Sequence, residues 1–106
     1  MVKASDLIGG GSGEFSYAFE DVEKIYTSSG TNIFGSADNP NGMRILELFV
    51  ESTNGRFINL YDATGTLQHQ LSTIGGFTLR DFDLPAGWYL QKSYSSVTVS
   101  VLYVKN

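Results

Sequence analysis

The stretch from Met43 to Asp62 constrains the fold most. Arg44-Ile45-Leu46-Glu47-Leu48-Phe49-Val50 and Arg56-Phe57-Ile58-Asn59-Leu60-Tyr61 are rich in β-branched and aromatic residues, and Thr53-Asn54-Gly55 lies between them. Asn-Gly between two such runs is the strongest short-range signal for a β-hairpin, since both residues tolerate the left-handed backbone of a tight reversal. Read alone, the stretch predicts an antiparallel hairpin. A three-residue loop with Gly55 left-handed sets Val50 against Ile58 and Leu48 against Leu60. A two-residue loop would instead set Leu48 against Tyr61 and Phe49 against Leu60. The first register matches aliphatic with aliphatic and is preferred. It leaves Ile45, Glu47, Phe49, Glu51, Phe57, Asn59 and Tyr61 on a second, half-apolar face that some other segment or protein must cover.

The rest of the chain has the same texture. Glu14 to Glu20 alternates strictly and predicts a strand with Phe15, Tyr17 and Phe19 on one face. Further strands are expected over 21–27, 31–35, 67–71, 77–83, 88–91 and 97–104, separated by turn signals such as Ser28-Ser29-Gly30, Gly75-Gly76 and Leu84-Pro85-Ala86-Gly87, the last with proline pre-set for its second position. Seven or eight short strands with no helical periodicity predict an all-β fold, an antiparallel β-sandwich of jelly-roll-like type. Its expected core is Leu46, Leu48, Val50, Ile58, Leu60, Leu71, Leu79, Val97, Val99 and Val101. The 106 residues suit one such domain. We divide the chain into an N-terminal arm with its glycine-rich hinge, residues 1–13, and a sandwich domain, residues 14–106. Gly9-Gly10-Gly11-Ser12-Gly13 has the composition of a flexible tether, so the arm before it is either a frayed terminus or docks through Leu7 and Ile8 on a neighbouring subunit.

The sequence shows no recognisable catalytic chemistry. The chain has no cysteine, which excludes disulfides, thiolate metal sites and thiol nucleophiles together. His69 is the single histidine; it alternates with Leu67 and Leu71 and has no nucleophile at an informative spacing, so it is given no role. Asp81 and Asp83 share a face of one expected strand. Two acids on a short strand, with Arg80 or Lys92 to pair with, are no basis for glycoside hydrolysis. Glu20, Asp21 and Glu23 read as a solvated bend. Asp38-Asn39-Pro40-Asn41-Gly42 departs from a calcium loop, with Pro40 at the third position, Gly42 one place early and Phe49 at the twelfth, and reads as turn chemistry. With a net charge of −4 and seven Lys and Arg scattered singly, no phosphate-neutralising patch forms, so nucleic acid is not an expected partner. No apolar run reaches membrane-spanning length. The expectation is a non-enzymatic protein made in the cytoplasm, with no cofactor and no metal.

Charged residues are only 17% of the chain, low for an isolated domain, which predicts that part of its surface is covered by a neighbour. Residues 23–106 resemble small tailed-phage virion proteins of the capsid decoration, or cement, type. The resemblance rests on Arg44-Ile45-Leu46-Glu47-Leu48-Phe49-Val50, then Phe57-Ile58-Asn59-Leu60-Tyr61-Asp62-Ala63-Thr64-Gly65-Thr66, the Leu84-Pro85-Ala86-Gly87-Trp88-Tyr89-Leu90 turn and the terminal Val97-Thr98-Val99-Ser100-Val101-Leu102-Tyr103. It implies a bacteriophage structural protein without an active site, located on the capsid surface and bound to the major capsid protein or other virion subunits, often as a homotrimer. Candidate interface residues are Leu7, Ile8, Phe15, Tyr17, Phe19, Phe49, Phe57 and Tyr61. The alternative is a carbohydrate-binding module of jelly-roll type, with Trp88, Tyr89 and Tyr94 as a stacking platform for a sugar ring.

Overall fold

The computed structural model describes residues 18–106. Eight strands form: β1 (Glu23–Thr27), β2 (Asn32–Phe34), β3 (Met43–Val50), β4 (Phe57–Tyr61), β5 (Leu67–Ser72), β6 (Phe77–Leu84), β7 (Tyr89–Lys92) and β8 (Val99–Lys105). They make two four-stranded sheets, ordered β1-β8-β3-β6 and β2-β7-β4-β5, and every pairing is antiparallel. The chain is thus an antiparallel β-sandwich. Its pairings nest: β1 lies beside β8, β2 beside β7, β3 beside β6 and β4 beside β5. This is one long antiparallel ribbon wound over on itself, so that only the β4–β5 connection stays within a sheet.

The hairpin expected between β3 and β4 does not form. β3 is flanked by β8 and β6, whereas β4 is flanked by β7 and β5. The turn chemistry was read correctly, since Gly55 has φ +62°, but the reversal carries the chain into the opposite sheet. The loop's hydrogen bonds show why. Buried Thr73, in the β5–β6 connection, receives the Thr53 amide on its carbonyl (3.2 Å), donates its own amide to the Arg56 carbonyl (2.9 Å) and shares a hydroxyl hydrogen bond with Thr53. The β3–β4 loop is therefore pinned to the neighbouring loop instead of closing on itself. Gly76 (φ +65°) completes the corner, because a Cβ there would lie 2.9 Å from the Val50 carbonyl oxygen and 3.0 Å from the Ser52 nitrogen, both backbone atoms.

A bulge alters the expected core. The β3–β8 register shifts between Ile45 and Glu47, and Asp81 of β6, in the gap between the Phe82 and Arg80 pairings, has φ +58°. An extra residue reverses the inward and outward alternation of a strand. Met43 and Ile45 point inward below the bulge, and Leu48 and Val50 above it. Ile45, expected on the outer face, is fully buried. On β6 the inward set changes likewise from Phe77 and Leu79 to Phe82 and Leu84, so Asp81 and Asp83 do not belong to one uninterrupted alternating face. Val97, Val99, Val101, Ile58, Ile33, Phe34, Leu90 and Tyr103 complete the core. Of the expected core residues, Leu60 and Leu71 are half-buried and Leu79 is 38% exposed.

The expected strand over 14–20 fails where it can be seen. Ala18 accepts from the Asp21 amide and Phe19 from the Val22 amide, closing a 3-10 turn over Phe19–Asp21 that leaves Phe19 55% exposed. Leu7, Ile8, Phe15 and Tyr17 lie outside the described residues. In the Pro85–Gly87 turn the Trp88 amide donates to the Pro85 carbonyl (3.1 Å). Proline therefore takes the first position, not the second.

Candidate functional site

Two surfaces stand out, and three buried or hydrogen-bonded side chains hold their supports. The first surface is the open side of the sandwich, where edge strands β5 and β6 diverge. Between them lies a cleft of about 180 Å³ lined by Leu48, Leu60, His69, Leu71, Leu79, Phe82 and Leu90. Its wall is apolar apart from the histidine. A second bulge sets this lining: Leu60 pairs with His69 but Tyr61 pairs with Leu67, so Gln68 is the extra residue. His69 and Leu71 turn into the cleft and Leu67 turns to the outer face, which separates the three residues expected to share one face. β5 carries no charged residue and no proline, and five of its six residues are exposed. An edge without charge or proline is a template for pairing, interrupted here only by the Gln68 bulge. The other three edges are blunted: β6 by the left-handed Asp81, β1 by Glu23 and Lys24, and β2 by its length of three residues.

The second surface is the outer face of the β2-β7-β4-β5 sheet. Tyr61 and Tyr89 are direct cross-strand partners whose rings stack at 5.0 Å with 16° between planes. In the next outward row, Asn32 pairs with Gln91, Gln91 with Asn59, and Asn59 with Gln70. Four side-chain amides therefore cross all four strands. At one rim Arg56 covers the Tyr94 ring at 4.0 Å, and at the other Asp62 closes the β4–β5 turn.

Phe57 and Tyr61 belong to this face, but Phe49 lies on the outer face of the other sheet, with Tyr26 and Thr78 in its row. The half-apolar face expected to unite Phe49, Phe57 and Tyr61 is thus divided between opposite sides of the molecule, as follows from β3 and β4 lying in different sheets. Trp88, Tyr89 and Tyr94 do not form one platform. Trp88 is half-buried against the core, Tyr89 stacks on Tyr61, and Tyr94 lies past the far end of β7 under Arg56. The outer face of the β1-β8-β3-β6 sheet is charged instead, with cross-strand ion pairs Arg44–Asp83 (3.1 Å) and Glu47–Arg80 (3.3 Å). These are exposed pairs of modest energy.

The supports are built from single polar residues. Lys92 is 2% exposed, and its Nζ donates to the carbonyls of Val97 (2.7 Å), Ser29 and Ser95 (3.4 Å each) and to Thr27 Oγ1 (3.3 Å). Burial lowers its pKa from the ordinary 10.5. Asn39 is fully buried; its Nδ2 donates to the carbonyls of Pro85 (2.8 Å) and Trp88 (3.0 Å), and its backbone carbonyl accepts from the Gly87 amide. Asp38 Oδ2 accepts from the Gly35 amide (2.8 Å). These bonds hold the 38–42 loop, and Asn39 Oδ1 stays buried without a partner among the described residues. Glu20, Asp21 and Glu23 are exposed, and no group of three or more metal-ligating side chains forms among the described residues.

Asp62 Oδ1 accepts from the Thr64 amide (2.8 Å), the Thr64 hydroxyl (2.6 Å) and the Thr66 amide (3.0 Å), and Oδ2 accepts from Gln68 Nε2 (2.8 Å). The Thr64 hydroxyl chiefly, then the Thr66 amide, lowers the carboxyl pKa from 3.8. A depressed carboxyl pKa contributes stability above the unfolded value that is lost as pH falls through the folded one. Asp62→Ala is expected to speed amide exchange at Thr66 on the order of tenfold at neutral pH, read by hydrogen-exchange NMR. The wild-type turn is expected to loosen towards that state in acid.

No family model, curated protein or solved structure matches the chain.

Proposed function

We propose that this chain is a non-enzymatic structural protein that joins a protein assembly through its open side. The observation that carries this reading is the β5 edge, which among the described residues carries no charge and no proline, beside an apolar cleft whose lining includes exposed Leu79. An isolated β-protein normally protects such an edge with charge, proline, a bulge or a covering segment; among the described residues β5 has only the bulge at Gln68, and its remaining exposed length carries no charge. The nested strand order supports reading the sandwich as a jelly roll. The resemblance of residues 23–106 to capsid decoration proteins makes a tailed-phage capsid surface the assembly we favour. Many copies of a modest contact, each bridging neighbouring shell subunits, would then raise the energy needed to rupture the shell.

The homotrimer implied by that resemblance needs a head-to-tail contact, with the open side of one copy against a different surface of the next. Pairing of β5 with its own copy would give a two-fold dimer. Sedimentation velocity across the micromolar range is expected to show concentration-dependent association. Leu79→Lys is expected to weaken it by at least about tenfold, since a charge at an apolar contact costs affinity. Leu79 is partly exposed, so the variant keeps its fold. A wild-type chain that stays monomeric and does not cosediment with purified tailed-phage capsids overturns the reading.

A further inference from the structure

The outer face of the β2-β7-β4-β5 sheet differs chemically from every other surface of the domain. Its outward residues are Asn32, Gln91, Asn59 and Gln70 in one row, Tyr89, Tyr61 and Leu67 in the next, and Phe57 and Ser72 on the other side of the amides. None is charged. Arg56 and Asp62 stand only at the two ends, occupied by Tyr94 and by the β4–β5 turn respectively. The opposite sheet, also of four strands, carries Lys24, Arg44, Glu47, Arg80 and Asp83 on its outer face. The amide row thus sets this face apart from the charged outer face of the other sheet.

The amides are also unspent. Among the described residues none of the four makes a side-chain hydrogen bond, and Asn59 Oδ1, like Asn39 Oδ1 in the core, is shielded from solvent without a partner among them. Shielded acceptors without a donor are uncommon in folded proteins and call for a reason. Each amide offers an acceptor and two donors, and the soft terminal torsion of Asn59 lets its oxygen turn outward to meet a donor arriving from above. The row spans three strand spacings, roughly 14 Å at about 4.8 Å each. Beside it, the stacked Tyr61–Tyr89 pair supplies a rigid apolar wall with phenolic hydroxyls.

We propose that this face binds a neutral carbohydrate chain lying across the strands along the Asn32–Gln91–Asn59–Gln70 row, with Tyr61 and Tyr89 packing against its C–H surfaces. Adjacent hydroxyls of a sugar match the donor and acceptor pattern of a side-chain amide, and aromatic rings cover the apolar faces of sugar rings. The absence of charge selects an uncharged chain over an acidic one. The site is separate from the β5–β6 open side, so it stands whether or not the domain assembles.

The test is affinity gel electrophoresis of the full chain through gels containing soluble neutral polysaccharides: mixed-linkage β-glucan, xylan, galactomannan, mannan, dextran and starch. Polygalacturonate and heparin gels serve as acidic controls. Retardation by at least one neutral polymer is expected, weakened at least about tenfold by Tyr61→Ala and by Gln70→Ala. Gln70 is exposed and its loss leaves the core intact, so that variant separates binding from folding; Phe49→Ala, on the opposite face, is expected to leave retardation unchanged. Retardation by none of the six neutral polymers, retardation only by the acidic ones, or retardation that survives both face variants overturns the proposal.

Discussion

Lys92→Met is expected to lower the free energy of unfolding by about 2 to 4 kcal/mol at neutral pH, measured by urea denaturation. Two effects compete. Methionine removes a cation that burial disfavours, which stabilises; it also removes the donor shared by three carbonyls and a hydroxyl, which destabilises. The carbonyls of Ser29 and Ser95 belong to exposed residues and recover water, but the Val97 carbonyl, bonded at 2.7 Å, is held inside and loses its partner. Hydrogen bonds to a charged donor are worth about 1.5 to 3 kcal/mol each, and the ammonium has several, so the lost donor outweighs the relief. The same residue ties the β1–β2 turn and the segment leading into β8 to the end of β7, so the variant is expected to loosen both.

The pH dependence separates this account from a simple packing loss. The folded pKa of Lys92 lies below 10.5, so between that folded value and 10.5 the unfolded chain binds more protons than the folded one. Stability then rises with pH through this window and levels off above it. Tyr103 opposes the trend: burial first, then the charges of Glu23 and Asp38, raise its pKa above 10.0, so its contribution is lost as pH climbs past that value. The difference between wild type and Lys92→Met cancels Tyr103 and isolates Lys92. The gap between the two proteins should widen from neutral pH towards 10.5. A variant as stable as the wild type would show that the donor contributes nothing where it stands, and a gap that does not widen would show that burial does not disfavour the cation.

Such networks explain how far the sequence could be read. Strand positions from β1 to β8 follow from alternation and turn residues, which act over a few positions and are legible locally. Partner choice is not local. Asn54-Gly55 specifies a reversal but says nothing about which sheet receives the next strand; Thr73, some twenty residues on, decides that by bonding to Thr53 and Arg56. Bulges at Leu46 and Gln68 reverse the side-chain parity of β3 and β5 without any unusual residue to announce them, which is why Ile45 and Leu67 were assigned to the wrong faces. Asp81, left-handed though not glycine, carries no local signature either. The amide row was illegible for the same reason, since Asn32, Asn59, Gln70 and Gln91 come from four strands and meet only through the nested winding. Lys92 and Asn39 read as ordinary surface residues by type and are among the most buried polar groups present.

Asn39 supports the second large expected effect. Its Nδ2 group holds the Pro85 and Trp88 carbonyls together and so fixes the turn that launches β7, the strand carrying both Tyr89 and Gln91. Asn39→Ala is expected to cost about 2 to 4 kcal/mol, from two carbonyls left without their donor and a void where the amide stood. Asn39→Asp changes almost nothing in shape and everything in electrostatics, since it sets carboxyl oxygens against two carbonyl oxygens at 2.8 and 3.0 Å in a site closed to water. The buried carboxyl can be accommodated only when protonated, in which form it still supplies one donor, so its folded pKa must rise above the usual carboxylate value. A raised carboxyl pKa gives stability that is present below the unfolded value and lost as pH rises through the folded one. Asn39→Asp is therefore expected to lie near the wild type below about pH 4 and to fall behind it steadily towards neutrality, ending at least as unstable as Asn39→Ala. Thermal unfolding of the three proteins between acid and neutral pH reads this directly. Parallel curves for wild type and Asn39→Asp would mean that the side chain is not clamped between the two carbonyls.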